Sequence, residues 1–484
     1  MLAGTGSDVG KSVLVAGLCR IFKQDGYAPA PFKAQNMSLN SYVTATGLEL
    51  GRAQAMQAEA AGIACEAEMN PVLLKPTGES RSQVVLLGRV AGHMEAKSYY
   101  RRAQRQELRQ AVEAAYDHLA QRYCPIVLEG AGSVSELNLR AQDIVNLPMA
   151  RYAKAKVLLV GDIERGGIFA ALYGSLALMT PWERKLVKGM IVNKFRGDAG
   201  LFDRGRQILE KICHRPLLGV VPYMDDLQLE AEDSLALQTK PTAPQEGKIN
   251  VGVVRLAHLS NSTDLLALEQ DPRLHVYYSA TPQALQAADV IILPGSKNTR
   301  ADLLELRRAG IDQAILSARQ GGTTVVGICG GYQMMGLAIS DPLGVEGPPG
   351  QTPGLGLLPV RTELQAEKTT RQVTFRVLNN PTLCYGYEIH MGATAPVHEV
   401  PPCPLCQTLE GACDGYFVDR NCWGSYMHGL LDNAPAVALL LGDRLPAQEK
   451  PLDYRQFKEH QFDLLADHLR QALDMEALYR IMQP

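Results

Sequence analysis

Short runs of branched, apolar residues recur along this chain with amphipathic segments between them, and that alternation leaves few folds open. In the first half the runs are Pro125-Ile-Val-Leu-Glu129, Val157-Leu-Leu-Val-Gly161, Met190-Ile-Val-Asn193 and Leu218-Gly-Val-Val221. Unbroken apolar runs of this length suit strands of a parallel sheet buried on both faces. Between them Leu108, Val112, Ala115 and Leu119 recur at steps of three and four, the mark of a helix with one apolar face. Strand, helix, strand in this order predicts an α/β architecture. The alternation stops at the polar stretch 238–248, which carries two prolines, and resumes at Val251-Gly-Val-Val-Arg-Leu256, Val290-Ile-Ile-Leu293 and Thr324-Val-Val-Gly-Ile328. The reading is two α/β domains, residues 1–236 and 249–484, joined by a linker at 237–248. Residues 340–360, rich in Pro and Gly, read as loop. Phe462, Leu465, Leu469 and Leu473 predict a C-terminal helix, assigned to the second domain.

Composition excludes several classes. A net charge of −3 without long basic runs argues against nucleic acid as a partner. No apolar stretch approaches the roughly 18–20 residues that a spanning helix needs, and the N-terminus lacks the basic start and apolar core of a signal peptide. The expectation is a cytoplasmic protein with no membrane partner; nothing in the pattern sets its oligomeric state. Ten cysteines are too few in 484 residues for a disulfide scaffold. Four of them crowd together as Cys403, Cys406, Cys413 and Cys422. Cys-Pro-Leu-Cys has the spacing of half a zinc site, but the second pair is spaced too widely for the usual partner half, so the thiols read as reduced and unlinked.

Gly4-Thr-Gly-Ser-Asp-Val-Gly-Lys-Ser12 opens the chain. Gly10, Lys11 and Ser12 end it as a phosphate-binding loop ends: backbone N–H groups cradle phosphates, the lysine reaches the outer ones, and the serine hydroxyl reaches Mg²⁺. The helix over Val13-Leu-Val-Ala-Gly-Leu18 would turn its N-terminus to the anion. Gly6, Ser7, Asp8, Val9, Gly10, Lys11 and Ser12 are thus the candidate ATP-binding residues. Only Met1-Leu2-Ala3 precede the loop, so its leading strand is very short or begins upstream. A second Mg²⁺ ligand should end another strand; Glu129 is the first candidate and Asp162 its rival.

Gly327-Ile-Cys-Gly-Gly331 follows an apolar run and has the spacing of a strand-to-helix elbow, which exposes its central side chain and offers the next N–H to an oxyanion. Cys329 is therefore a candidate nucleophile, its thiolate favoured by the helix N-terminus. A base must come from a distant segment: His428 in Gly424-Ser-Tyr-Met-His-Gly429, with His390 in Gly386-Tyr-Glu-Ile-His390 as competitor.

Two resemblances follow from these motifs. The first loop is similar to that of dethiobiotin synthetase and its relatives. Gly-x-Cys-x-Gly-Tyr-Gln333 resembles the nucleophile segment of class I glutamine amidotransferases, which implies that Cys329 attacks the glutamine carboxamide with His428 as base. Gly295, in Leu293-Pro-Gly-Ser296, together with Gly330, Gly331 and Gln333, would then bind the oxyanion and glutamine. The commonest class I triad places a glutamate two residues after the histidine. Leu430 stands there instead, so Asp432 or Glu388 are the guesses for the group that orients His428.

The combination resembles the cobyric acid synthase and cobyrinic acid diamide synthase group of cobalamin biosynthesis. Phe32-Lys-Ala-Gln-Asn-Met-Ser-Leu-Asn-Ser41, Gly51-Arg-Ala-Gln54, Asn70-Pro-Val-Leu-Leu-Lys-Pro76, Ser82-Gln-Val-Val85, Asp143-Ile-Val-Asn146, Asp162-Ile-Glu-Arg-Gly-Gly167 and Asn193-Lys-Phe-Arg-Gly-Asp198 carry the likeness toward the cobyric acid synthase branch. It implies ATP- and glutamine-dependent amidation of the b, d, e and g carboxylates of a corrinoid, adenosylcobyrinic acid a,c-diamide, with ATP and Mg²⁺ as cofactors. By the same likeness Arg52, Lys75, Arg81 and Arg165 would hold the substrate's other carboxylates. Asn36, Ser38 and Asn40 would lie near the nucleotide or corrinoid. The alternatives are amidation of cobyrinic acid itself or of another carboxylate, and a regulatory ATPase whose second domain is inert. The segment Gln35-Asn-Met-Ser-Leu-Asn40 argues against the diamide synthase. The acidic residues Asp463, Asp467, Asp474 and Glu476 of the last helix argue against the membrane-bound ATPase.

Overall fold

The computed structural model describes residues 1–78, 81–95, 102–229, 240–397, 403–444 and 452–483. They form two α/β units that are not contiguous in sequence. The first comprises residues 1–38, 48–232 and 458–484, and the second 39–47 and 233–457, each within the described residues. Among the described residues no helix is long and apolar enough to cross a membrane.

The first unit is built on parallel strands in the order Leu2–Gly4, Val157–Asp162, Val187–Phe195, Leu217–Pro222. Val157–Asp162 is buried along its whole length, which is why its sequence shows no alternation. A second parallel pair, Ala30–Phe32 with Ile126–Leu128, joins this sheet through a bridge between Leu2 and Glu129. The leading strand therefore forms with three residues. The carboxyl ends of these strands carry the phosphate loop, Glu129, Asp162 and Asn193, the edge at which open α/β sheets bind ligands. A smaller sheet, ordered Gln35–Met37, Val72–Gly78, Arg81–Leu86, Arg89–Glu95, is antiparallel apart from its first pair.

The C-terminal helix, Tyr454–Ala472, departs from the sequence reading, which grouped it with the second domain. From Lys458 onward it belongs to the first unit. Phe462, Leu465 and Leu469 are buried against Leu14, Leu18 and Phe22 of helix Lys11–Gln24. A Cβ on Gly17 would come within 2.3 Å of Leu469 Cδ1, so the glycine sets how closely the two helices approach. Burying each such leucine contributes about 1.5–3 kcal/mol. That burial, and not sequence proximity, decides where the helix packs.

In the second unit the strands run Leu274–Ser279, Ile249–Val254, Val290–Leu293, Thr324–Ile328, Cys422–Ser425, Tyr416–Asp419, parallel except for the last. Beside them a long hairpin, Val360–Val377 with Cys384–Pro396, anchors a second sheet. The stretch read as loop at 340–360 contains an antiparallel pair, Ala338–Asp341 with Gly350–Pro353, around its Pro- and Gly-rich turn.

Candidate functional site

In the first unit Gly10 adopts φ 91° and ψ 19°, and a Cβ there would lie 2.2 Å from Asn193 Nδ2, whose amide donates to Val9 O at 2.8 Å. Gly6 and Val9 hold the loop's flanks, while Ser7 and Asp8 form its exposed turn. Lys11 Nζ folds back to donate to Gly6 O (3.0 Å) and Gly132 O (3.1 Å), which holds a buried ammonium against the loop. Ser12 Oγ donates to Glu129 Oε1 at 2.8 Å, so the expected pair of hard oxygens is brought together. Lys33 Nζ lies 2.8 Å from the same Oε1, and Gln57 Nε2 donates to Oε2 at 2.6 Å. The Glu129 carboxylate is buried and already balanced by positive charge. Its donor set fits a hard cation such as Mg²⁺. Asp162, the rival, is engaged by Lys194 at 3.0 Å and by Arg165 at 3.9 Å.

The residues expected to grip substrate carboxylates are divided. Lys75 pairs with Glu49 at 2.7 Å, both buried. Arg52 lies 3.8 Å from Glu59. Arg165 is exposed beside the phosphate loop, 3.6 Å from Asp8. The Arg81 side chain lies outside the described residues. Asn36 donates to Gln54 Oε1 at 3.1 Å within the first unit, as Ser38 also belongs there, whereas Asn40 falls in the second.

In the second unit Cys329 has φ 52° and ψ −109°, a strained conformation for a residue with a side chain, at the junction of strand Thr324–Ile328 with helix Gly330–Met335. Glycine is obligatory around it. A Cβ on Gly331 would stand 1.9 Å from Leu293 O, and one on Gly330 2.8 Å from Ser296 N. The turn carrying Gly295 is thereby pressed against the elbow. Cys329 Sγ faces Ile389 O at 3.8 Å. Gln333 Nε2 donates to Tyr426 OH at 3.1 Å, at the edge of a cavity of about 410 Å³ lined in part by Tyr332, His390, Thr394 and Tyr426.

His428 is buried, and its Nδ1 is 2.7 Å from Asp264 Oδ2. Asp264 Oδ1 accepts from Gly429 N at 2.9 Å, so one carboxylate fixes both the ring and the following peptide. This corrects the two guesses for the orienting group: Glu388 is held by Arg371, and the acid that meets the ring comes from the turn Ser262–Leu265 instead. Leu430, where the common triad has its glutamate, is a core residue. Asp264 was not singled out in the sequence. The only signal for it was an acid shortly after the strand Ile249–Val254, at the carboxyl edge of the sheet. Burial opposes protonation of His428, but the charges of Asp264 and Cys329 outweigh it and raise the imidazole to about 10. His390 behaves oppositely. It stacks on Tyr426 with ring centroids 3.7 Å apart, its Nδ1 meets Gly392 O at 2.8 Å, and burial lowers it to about 4. A ring held neutral and turned to its own backbone is a wall of the cavity, so His428 is the base candidate.

The four clustered cysteines do not converge. Cys406 pairs with Asp414 and Cys413 with Gln407 in the hairpin sheet, while Cys422 lies in the other sheet with its thiol toward Leu357 O. Burial pushes the Cys422 thiol up to about 11. Among the described residues no three His, Cys, Asp or Glu side chains are grouped to hold a metal.

An elbow cysteine facing a carboxylate-held histidine, in one chain with a phosphate loop, defines a glutamine-dependent amidotransferase coupled to a nucleotide-binding domain. The family model of CobQ/CobB/MinD/ParA nucleotide binding domains matches residues 1–236, and that of CobB/CobQ-like glutamine amidotransferase domains matches residues 250–436. Over its full length the chain is 57% identical to a cobyric acid synthase of Bacteroides fragilis, covering 98% of that protein. It is 57% identical to one of Phocaeicola vulgatus and 49% to one of Citrobacter koseri, with the same coverage. The chain belongs to the cobyric acid synthase family, glutamine-dependent amide-forming enzymes of cobalamin biosynthesis.

The Asp264 contact makes a pH prediction. Asp264→Asn removes the charge that most favours the imidazolium, so the pKa of His428 falls from about 10 toward its ordinary value near 6.5. The alkaline arm of glutamine hydrolysis, where that proton is lost, should move to lower pH, and kcat should drop by roughly 10²-fold or more. A pH profile of glutamate release by the variant checks both; an unmoved alkaline arm would show that Asp264 does not set the histidine's charge.

Proposed function

We propose that the chain, as a cytoplasmic enzyme, converts adenosylcobyrinic acid a,c-diamide to cobyric acid by amidating its b, d, e and g carboxylates with ATP and glutamine. A carboxylate is inert to ammonia because its leaving group would be oxide. In the proposed reaction a carboxylate oxygen attacks the γ-phosphorus of ATP and ADP departs, giving an acyl phosphate. Lys11 neutralises charge on the transferring phosphoryl group, with the amides from Gly6 to Ser12 as the cradle. Ser12 and Glu129 would hold Mg²⁺, which would supply positive charge against the phosphates of ATP.

Ammonia comes from the second unit. The Cys329 thiolate attacks the glutamine carboxamide, His428 gives its proton to the departing nitrogen, and the thioester is hydrolysed to glutamate. The N–H groups of Gly330 and of the Gly295 turn receive the oxyanion, while Gly331 and Gln333 shape the glutamine site. Ammonia then attacks the acyl carbon and phosphate leaves. For the remaining carboxylates of the corrinoid, Arg165 is an exposed cation beside the loop. Lys75 and Arg52 would have to exchange Glu49 and Glu59 for substrate, and Asn36, Ser38 and Asn40 complete the proposed contacts.

The observation that carries this reading is the pairing of Lys11 held against the loop with Cys329 opposite an Asp264-held His428 in one chain. The test is glutamine-dependent ATP hydrolysis with and without the corrinoid diamide, with products read by mass. Four successive mass losses of one unit each, as OH becomes NH₂, are expected; ATP turnover indifferent to the corrinoid would sink the substrate assignment.

A further inference from the structure

The histidine of the glutaminase site rests on a piece of chain from the other end of the sequence. Residues 39–47 belong to the second unit although Ser38 and Leu48, their direct neighbours, belong to the first. Ser41 N donates to Asn261 Oδ1 at 3.1 Å, and Tyr387 OH donates to Ser41 O at 3.1 Å. Both partners of this one residue touch His428. The Asn261 amide nitrogen is 3.4 Å from each ring nitrogen, which places it over the face of the imidazole and not in its plane. Tyr387 stacks on the same ring at 5.2 Å and 21°, and the two residues exchange backbone hydrogen bonds of 3.1 and 2.9 Å.

The segment is fastened along its length. The Tyr42 ring meets Tyr387 edge-on at 4.9 Å, and Val43 is fully buried with Tyr387 and Ile389. Gln372 Nε2 donates to Val43 O at 2.9 Å, and Thr370 Oγ1 to Gly47 O at 2.7 Å. The strand against which it packs thus presents Tyr387 to His428 and the Ile389 carbonyl to Cys329 Sγ. No feature of glutamine chemistry requires residues 39–47 at this place.

We infer that residues 39–47 are a positioning element for the glutaminase: through Ser41, Asn261 and Tyr387 they set the pose of His428, so that the N-terminal half of the chain contributes to glutamine hydrolysis. The inference rests on the assignment of His428 as the base. Tyr387 is a positioning residue, since its ring and hydroxyl act through His428.

Tyr387→Phe deletes the bond to Ser41 while keeping the stacked ring and the backbone pair. Glutamate release should show kcat lowered about 5-fold, the scale of one lost hydrogen bond, with KM for glutamine unchanged. Tyr42→Ala should do the same by removing the edge contact, and Tyr42→Phe should restore wild-type kcat. Because Tyr42 is only partly buried, its two variants carry the test if Tyr387→Phe folds poorly. A wild-type kcat in both Tyr387→Phe and Tyr42→Ala would overturn the inference, as would a change confined to KM. Glutamate release is read without the corrinoid, so failure of the substrate assignment, seen as no corrinoid amide from wild-type protein, is a separate outcome. His428→Ala in the same assay separates the remaining case: full glutamate release by that variant would show that the base itself is misassigned.

Discussion

Cys329→Ser is expected to lose glutamine-dependent amidation by roughly 10³-fold or more while ammonia-dependent amidation stays near the wild-type rate. Serine preserves the elbow's shape, which matters because Cys329 occupies φ 52° between glycines that tolerate no Cβ. What it removes is the thiolate. A serine hydroxyl is far harder to ionise than a thiol, so the anionic nucleophile does not form at position 329. No thioester forms and no ammonia is released. The phosphate loop lies in the other unit and has its own machinery, so the acyl phosphate should still form. Ammonium salts at alkaline pH then supply the nucleophile directly. The measurement is corrinoid amide formed per unit time with each nitrogen source. Full glutamine use by the variant would remove Cys329 from the mechanism; failure of ammonia rescue in a folded variant would show that activation cannot run apart from glutamine hydrolysis.

The parts that could be read from sequence are those in which one physical demand dominates. Val157–Val160 and Val290–Leu293 are buried on both faces, so these positions are apolar without a break and the strand declares itself. The elbow is similarly overdetermined, since Gly330 and Gly331 are required by contacts shorter than a Cβ allows. Asp264 is different. It lies 164 residues from its histidine, in a polar stretch with no period, and only the meeting of two strand ends makes it the orienting acid. The same holds for residues 39–47 and for the C-terminal helix. An apolar stripe such as Phe462, Leu465 and Leu469 states that a helix is buried but not against what. The long hairpin escaped for another reason: Val360–Val377 is partly exposed, and its alternation falters near the middle.

Lys11→Ala should abolish amidation with either nitrogen source, by about 10³-fold or more, the scale of a lost charge clamp on a transferring phosphoryl group. Glutamate release should persist, because Cys329, His428 and Asp264 are all in the second unit. This failure is the reverse of the one expected for Cys329→Ser, and together the two variants separate activation from nitrogen supply. Other ammonium groups at the same sheet edge should not compensate. Lys33 lies 2.8 Å from the Glu129 carboxylate, and Lys194 is 3.0 Å from Asp162, so each has its charge already matched by an acid. Lys11 directly follows the last glycine of the loop and donates to Gly6 O and Gly132 O, so its ammonium is held at the loop itself. Ammonia-dependent synthesis at the wild-type rate in Lys11→Ala would place the phosphates elsewhere along this edge.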